Sequence, residues 1–258
     1  MNPIKTACLA LLLSFGILPR VAQAQEWTRQ SFLLPKGGFE ITGEPARPEL
    51  MRINVSNNSA FKPVEFPVDF FWGVSDDVMI GITHDHGLRF NTGAQNPKFR
   101  DTYNDVGFGS VIWLAGGRNY EVDLHAGVPF HSLSPLWVGA QVGVLGRANF
   151  SDSVALVYDP GVYIGVNHRD DGNGDGLSLP IWFYFQPTDS IAPFVGTGLN
   201  GPFRRFGDNF AIPLEGGVLF TVARGINIGG LLRFSNALGR NGTLDYGREI
   251  GFLGQFRF

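Results

Sequence analysis

The chain has 258 residues, a formal net charge of −3, 35 glycines, 23 phenylalanines and only 17% charged residues. A single cysteine excludes a disulfide-stapled scaffold and a cysteine zinc module, and the near-neutral charge excludes a disordered acidic or basic chain. The remaining class is a glycine- and aromatic-rich all-β chain, organised as one large domain or two small ones.

The first 24 residues have the layout of a secretory signal peptide. Lys5 precedes an apolar stretch from Ala7 to Leu18, and Ala22-Gln23-Ala24 has the small-x-small form of a cleavage site. We predict cleavage after Ala24, with a buried N-terminal helix as the alternative. The apolar stretch is too short to span a membrane as a helix. The remaining chain has a net charge of −5 and no basic patch, so no nucleic-acid partner is predicted.

Residues 25–48 are predicted to form an irregular leader, either a plug or a periplasmic tail. They hold three prolines and several glycines and show little periodicity. From residue 49 to 258, short alternating apolar and polar runs recur between turn residues, which is the pattern of β-strands. About twelve strands are predicted, with ten or fourteen as alternatives: 49–56, 64–74, 78–89, 105–114, 119–126, 136–146, 154–166, 177–187, 191–200, 210–222, 226–235 and 246–258.

The predicted connections alternate in length. Short turns are expected near 75–77, 115–118, 147–153, 188–190 and 223–225. Mostly longer, polar loops are expected near 57–63, 90–104, 127–135, 167–176, 201–209 and 236–245. Short turns at one end, long loops at the other and an even strand number predict an antiparallel up-and-down transmembrane β-barrel.

The two faces of each predicted strand differ in character. In 226–235, for example, Ile226, Ile228, Leu232 and Phe234 share one face, and the other holds Asn227, glycine, arginine and serine. A membrane barrel turns the apolar face toward lipid and the polar face toward the lumen. A soluble barrel would bury the apolar face instead, and this remains the alternative.

The last residues resemble the terminal strand of Gram-negative outer-membrane β-barrel proteins. Phe252, Phe256 and Phe258 alternate up to the final position. This resemblance implies an outer-membrane location, contact with outer-membrane lipid, and recognition by the barrel-assembly machinery. It extends over the architecture from residue 49 to 258 and identifies no subfamily. No cofactor is implied.

The predicted lumen is the main functional feature. Its inward candidates are Arg52, Asp69, Glu121, Asp123, His125, Gln141, Glu215, Arg233, Glu249 and Arg257. The five acids outnumber the three arginines, and charged lumen residues select permeating solutes. The sequence therefore predicts a narrow porin-like channel for small polar or ionic solutes, with mild cation preference if the lumen is open. The alternative is a non-conducting structural or surface barrel whose interior charges pair.

A catalytic function is less favoured. His84-Asp85-His86 lies where a strand reaches the predicted outer loops, and Asp–His pairs serve in outer-membrane proteases of the omptin type. A second acidic pair is not evident, so these residues are also interpreted as polar rim residues. No histidine has a serine two positions away, which argues against the barrel-type serine hydrolases.

One segment of a predicted external loop has the spacing of a calcium site. Asp171, Asn173 and Asp175, with Asp170 beside them, match the first half of an EF-hand-like loop. The closing carboxylate would fall at Trp182, which cannot bind calcium. The alternative interpretation is a solvated turn, and no metal is predicted to be required.

Overall fold

The computed structural model describes residues 27–56, 61–92, 98–239 and 247–258. The predicted signal peptide therefore lies outside the described residues. Twelve strands form one antiparallel sheet, and β12 pairs with β1 through Glu40 and Arg257 and through Ile53 and Ile250. The sheet is thus a closed barrel in which each strand neighbours the next in sequence, which confirms the prediction of a twelve-stranded up-and-down barrel.

Six of the strands contain a break, and each of these is built from two segments. In chain order they are β1 (Phe39–Thr42 and Glu49–Asn54), β2 (Val64–Phe66 and Asp69–Ser75), β3 (Val78–Thr83 and Leu88–Phe90), β4 (Val106–Gly117), β5 (Tyr120–Leu133), β6 (Leu136–Ser151), β7 (Val154–Tyr158 and Gly161–Gly165), β8 (Gly176–Ser178 and Ile181–Phe185), β9 (Ile191–Thr197 and Asn200–Pro202), β10 (Ala211–Ala223), β11 (Ile226–Gly239) and β12 (Arg248–Arg257). Pro67, Pro160 and Pro180 lie at three of the breaks, because proline cannot donate to the ladder.

Helix is scarce in the described residues. A 3₁₀ turn covers Trp27–Arg29, and two four-residue helices, α1 (Phe99–Thr102) and α2 (Phe206–Asn209), lie in connections between strands. None of the described helices has the length and apolar character needed to cross a membrane.

The connections at one barrel end are all short, as predicted. They cover 76–77, 118–119, 152–153, 186–190 and 224–225, and we call this the short-turn end. The opposite, long-loop end has one connection that differs from the prediction. The prediction of a loop over 127–135 was wrong, because β5 continues to Leu133 and is joined to β6 by two residues. Pro129 lies within β5, beside a bulge between Phe130 and Ser132, where strands accept proline.

The first strand also begins earlier than predicted. Phe39–Thr42, inside the range assigned to the leader, pairs with β2 on one side and β12 on the other. The next residues, 43–48, bulge into the barrel, where Ala46 is fully buried. The Tyr184 hydroxyl donates a hydrogen bond of 3.2 Å to the Ala46 carbonyl. After these six residues the chain continues as the second segment of β1, Glu49–Asn54.

Side chains alternate between an exposed outer face and a covered inner face, most regularly in β2. In β2, Phe70 and Trp72 are exposed and Phe71, between them, is buried. In β12, Phe252 is 46% exposed, while Phe256 is half-buried. A continuous belt of exposed apolar side chains around a closed barrel is a lipid-facing surface, so the outer face is the one that sequence alternation assigned to lipid.

A hydrophobic core fills the barrel at the short-turn half. It joins inward side chains from most strands to four side chains of the N-terminal segment. The wall contributes Ala46, Phe71, Met79, Val111, Leu145, Val157, Trp182, Tyr184, Ala192, Phe194, Leu219, Leu231 and Leu253. The long-loop half of the lumen is lined instead by polar groups, and the functional candidates lie there and at the boundary.

Candidate channel lumen

The N-terminal segment 27–38, hereafter the luminal segment, lies inside the barrel. After its 3₁₀ turn it has no regular structure. Trp27, Phe32, Leu33 and Leu34 are all buried in the hydrophobic core. The ring of Trp27 lies 5.8 Å from that of Tyr184 on the wall. The segment therefore replaces water at the centre of the short-turn half.

The barrel wall supplies the hydrogen bonds that this irregular backbone lacks. Glu121 accepts from the Phe32 amide at 3.0 Å and from the Ser31 hydroxyl at 2.5 Å. Arg257 donates to the carbonyls of Ser31 at 2.5 Å and Phe32 at 3.1 Å. Its Nε also pairs with buried Glu40 at 2.5 Å. Charged wall side chains thus satisfy backbone groups that would otherwise be buried without partners.

Arg147 makes a second set of contacts with the luminal segment. Its guanidinium donates to the Gln30 carbonyl, pairs with Glu121 at 2.8 Å and lies 5.4 Å from the centre of the Phe32 ring. Beside this group, Asp123 has no accessible surface, and neither of its carboxylate oxygens has a hydrogen-bond partner among the described residues. The lumen wall beneath the segment is therefore charged.

A cluster of arginines and glutamates crosses the lumen above the core. Arg233 is its hub, with Nε 2.7 Å from Glu215, and its two terminal nitrogens 2.7 Å from Glu49 and 3.1 Å from Glu249. Arg233, Glu49 and Glu215 are all buried. Three carboxylates therefore surround one guanidinium and contact each of its three nitrogens.

Two further arginines complete this arginine cluster. Arg47, in the inward bulge of β1, lies 3.0 Å from Glu215 and 3.4 Å from Glu49, and its guanidinium lies 5.8 Å from the Trp182 ring centre. Arg52 lies 3.1 Å from Glu49 and 3.4 Å from Glu65. Every arginine of the cluster is thus paired with glutamate, so the cluster has no positive excess.

A cavity of about 440 Å³ lies beside the arginine cluster, on the long-loop side of the core. We call it the outer cavity. Its ionisable lining side chains are Glu44, Asp69, His84, Asp85, His125, His131, Asp159 and Tyr163, with Gln141 among them. Among the described residues that line it, there is no lysine or arginine. The cavity is therefore acidic wherever its histidines are neutral.

The His84-Asp85-His86 motif lies at the rim of the outer cavity, but its side chains have different partners. The ring of His84 is 2.7 Å from the Val68 carbonyl and 2.9 Å from the Tyr103 hydroxyl. The Asp85 carboxylate pairs with His131, and His86 Nδ1 lies 3.1 Å from Glu65. The three side chains do not converge on a common point.

The backbone of this motif is held by one carboxylate. Asp105 accepts from the amides of Asp85 at 2.6 Å, His86 at 2.9 Å and Gly87 at 3.2 Å. Burial, together with the charge of Asp105, raises the pKa of the Tyr103 phenol. The motif is therefore part of a hydrogen-bonded rim that holds the break in β3 against the end of the long loop before β4.

The calcium candidate residues contact their own loop. Asp175 accepts from the Gly165 amide at 3.1 Å and pairs with Arg169. Asp171 lies 3.0 Å from the His168 ring. The Asn173 side chain is buried and donates to the Val138 carbonyl at 2.9 Å. Within the described part of the chain, no group of three or more His, Cys, Asp or Glu side chains could hold a metal ion.

The structure distributes the predicted lumen residues over three inner regions. Arg52, Glu215, Arg233 and Glu249 meet in the arginine cluster; Glu121, Asp123 and Arg257 lie at the luminal segment; and Asp69, His125 and Gln141 line the outer cavity. The sequence reasoning missed Glu40, Arg47, Glu49, Arg147 and Asp159. Arg147 could have been found, because it continues the inward alternation of Gln141, Gly143 and Leu145.

Comparisons with known proteins point to one fold. No protein-family model and no curated protein matches the sequence. Among solved structures, the "KdgM porin in complex with disordered oligogalacturonate" is similar at 7% identity, with 86% of this chain and 98% of that chain covered and a TM-score of 0.56. A NanC porin structure is similar at 11% identity, with 80% and 97% covered and a TM-score of 0.56. The chain therefore has the fold of outer-membrane porins, which agrees with the predicted location.

Proposed function

We propose that this barrel is a narrow outer-membrane channel for small polar or ionic solutes and that it favours cations. The fold supports the channel function, and the carboxyl groups of the outer cavity support the preference for cations. The single observation that carries the proposal is the lining of that cavity, which holds the carboxyl groups of Glu44, Asp69, Asp85 and Asp159 and, among the described residues, no lysine or arginine. Of these four, Glu44 also pairs with Arg47 of the arginine cluster, at 3.2 Å. Fixed carboxylates facing a water-filled passage attract cations and repel anions.

The arginines of the lumen do not reverse this preference. Arg47, Arg52 and Arg233 are each bonded to at least two glutamates at distances of 3.4 Å or less. A guanidinium that is paired with carboxylates has its field largely cancelled at short range. The cluster therefore acts as a neutral to acidic wall rather than as an anion path.

The proposed solute class differs from the one named for the KdgM complex. That structure holds oligogalacturonate. A galacturonate residue carries a carboxylate, so a chain of such residues would meet like charges at Asp69, Asp85 and Asp159 in this barrel. Small cations or neutral polar molecules suit the outer cavity better.

The test is the reversal potential of the protein in a planar bilayer under a potassium chloride gradient. We expect a cation-selective potential for the natural chain. The variant Asp85→Asn should move it toward zero, because a cavity carboxylate is removed. Asp189→Asn, an exposed carboxylate in the turn between β8 and β9, is the matched control and should leave it unchanged. Anion selectivity, or an equal effect of the control, would contradict the proposal.

A second candidate function is a non-conducting structural or surface barrel. The observation in its favour is the core at the short-turn half, where the luminal segment and wall side chains pack together. Bilayer recording separates the two functions if it includes a variant that lacks residues 27–35. Absence of conductance from the folded variant and from the natural chain would favour the structural barrel.

A further inference from the structure

We propose that the luminal segment is a detachable plug that closes the channel from the short-turn end, and that Asp123 limits how tightly it seats. This inference rests on the proposed channel function. Twelve-stranded barrels are wider than the eight-stranded ones whose side chains alone fill the interior. The segment supplies the missing volume here, so its departure would leave a passage.

The luminal segment is bound in the manner of a peptide ligand rather than built into the sheet. Residues 30–36 form no strand, and their backbone groups bond to wall side chains such as Glu121, Arg147 and Arg257. Gln186 accepts from both the amide and the hydroxyl of Thr28, at 3.0 and 3.1 Å. Contacts of this kind are exchangeable with water one by one, unlike a β-ladder.

The segment joins the barrel at a glycine pair that suits a hinge. Gly37 has a φ of +83°, a conformation that glycine adopts without strain. The Gly37 amide donates to the Gly73 carbonyl at 2.7 Å, and the Gly73 amide donates to the Gly38 carbonyl at 2.9 Å. Sheet pairing thus starts at the hinge and continues into β1, so residues before it could leave without opening the barrel wall.

The barrel wall beneath the plug carries polar side chains that water could hydrate. Beside the apolar core, the segment covers Glu121, Arg147 and Arg257, together with the amides of Asn227 and Gln255. These polar groups would be hydrated once the segment leaves. These side chains suit both states, because they bond to the segment when it is seated and to water when it has left.

Asp123 gives the clearest indication of an open state, in which the luminal segment has left the barrel. Its carboxylate is completely buried and neither oxygen has a hydrogen-bond partner in the described structure. It lies on the inner face of β5, two residues from Glu121, which holds the segment. Burying an unpartnered carboxylate is costly, and release of the segment would hydrate it. Asp123 therefore opposes the closed state.

The decisive experiment tethers the plug. Residues 25–258 contain no cysteine, so the pair Thr28→Cys, Gln186→Cys can be linked specifically with a short bis-maleimide. We expect the linked protein to conduct at least tenfold less than the same protein before linking in planar bilayers. Each single-cysteine variant treated with the same reagent is the control and should keep its conductance. Equal conductance of the linked and unlinked protein would overturn the plug.

Deletion of residues 27–35 distinguishes the plug from the channel itself. We expect a higher and steadier conductance than that of the natural chain. A folded deletion variant that conducts no better than the natural chain refutes the plug and leaves the channel standing. A folded variant that does not conduct refutes the channel. If the deletion prevents folding, Phe32→Ser with Leu34→Ser loosens the segment without shortening it, and the same outcomes apply.

Asp123→Asn supplies a test that keeps the segment intact. Removal of the buried charge should stabilise the seated plug and lower the open fraction in single-channel records at least threefold. Asp77→Asn, at the exposed turn between β2 and β3, is the matched control and should leave the open fraction unchanged. An unchanged or raised open fraction in Asp123→Asn would overturn the role assigned to this residue.

Discussion

Replacement of Arg233 by methionine should destabilise the barrel strongly. The arginine is buried and holds Glu49, Glu215 and Glu249 at 2.7, 2.7 and 3.1 Å. Methionine keeps much of the volume but leaves three carboxylates that lose their shared partner. Removal of one side of a buried ion pair costs about 3–5 kcal/mol.

The geometry indicates where the cost falls. Glu49 and Glu215 keep Arg47 as a partner, at 3.4 and 3.0 Å. Among the described residues, Glu249 keeps Arg52, at 3.8 Å, and its side chain is 19% exposed, so water can partly replace the lost contact. We therefore expect about 3 kcal/mol, the lower end of the range.

Urea unfolding of the protein in detergent micelles, followed by tryptophan fluorescence, measures this effect, since Trp182 lies in the core next to the cluster. With a slope of about 2–3 kcal/mol/M, the midpoint should fall by about 1–1.5 M. Arg233→Lys keeps the positive charge but cannot contact all three carboxylates in the same geometry. Its urea midpoint should therefore lie between those of the natural protein and of Arg233→Met. Adding Glu249→Gln to Arg233→Met should restore part of the loss, because it removes the carboxylate that is left with the most distant partner, Arg52 at 3.8 Å.

A midpoint shift of Arg233→Met below about 0.3 M, within the range of ordinary surface substitutions, would refute this reasoning. A double variant less stable than Arg233→Met would refute it as well, because it would show that the excess negative charge is not the cause.

Three other predictions follow from single positions. Gly229→Ala should destabilise the barrel by about 1–3 kcal/mol in the same unfolding assay, because a Cβ there would lie 2.0 Å from a backbone oxygen of β10. Gly230→Ala should be tolerated, because its Cβ would lie 3.5 Å from the nearest heavy atom, a backbone oxygen of β12. Leu232→Arg places a charge on the lipid face and should cost about 2–4 kcal/mol in unfolding from lipid vesicles; a neutral effect would contradict the lipid-facing assignment. The phenol of Tyr103 should titrate above its ordinary range in absorbance titrations, with Tyr103→Phe as the reference. Because the pKa of this phenol is raised in the folded state, the small stability that it adds should be lost as the pH rises through the folded-state pKa.

The sequence by itself determined the architecture and the outer surface. Period-2 alternation is a local property, because successive side chains of any strand point to opposite faces, and it therefore assigns Phe252 and Leu232 to lipid without knowledge of strand partners. Short polar turns are equally local. Strand number and the identity of the short-turn end followed from them. The main error was the loop predicted over 127–135, where β5 instead continues through a bulge between Phe130 and Ser132.

Only the tertiary structure decided what the interior does. Residues 27–38 have no periodicity, and their position depends on contacts with residues as distant in sequence as Gln186 and Arg257. The same holds for Arg47, which reaches Glu215 across 168 positions. An inward charge looks identical in sequence whether it faces water or a partner. The closed barrel brings those partners together, and that pairing separates the neutral arginine cluster from the acidic outer cavity.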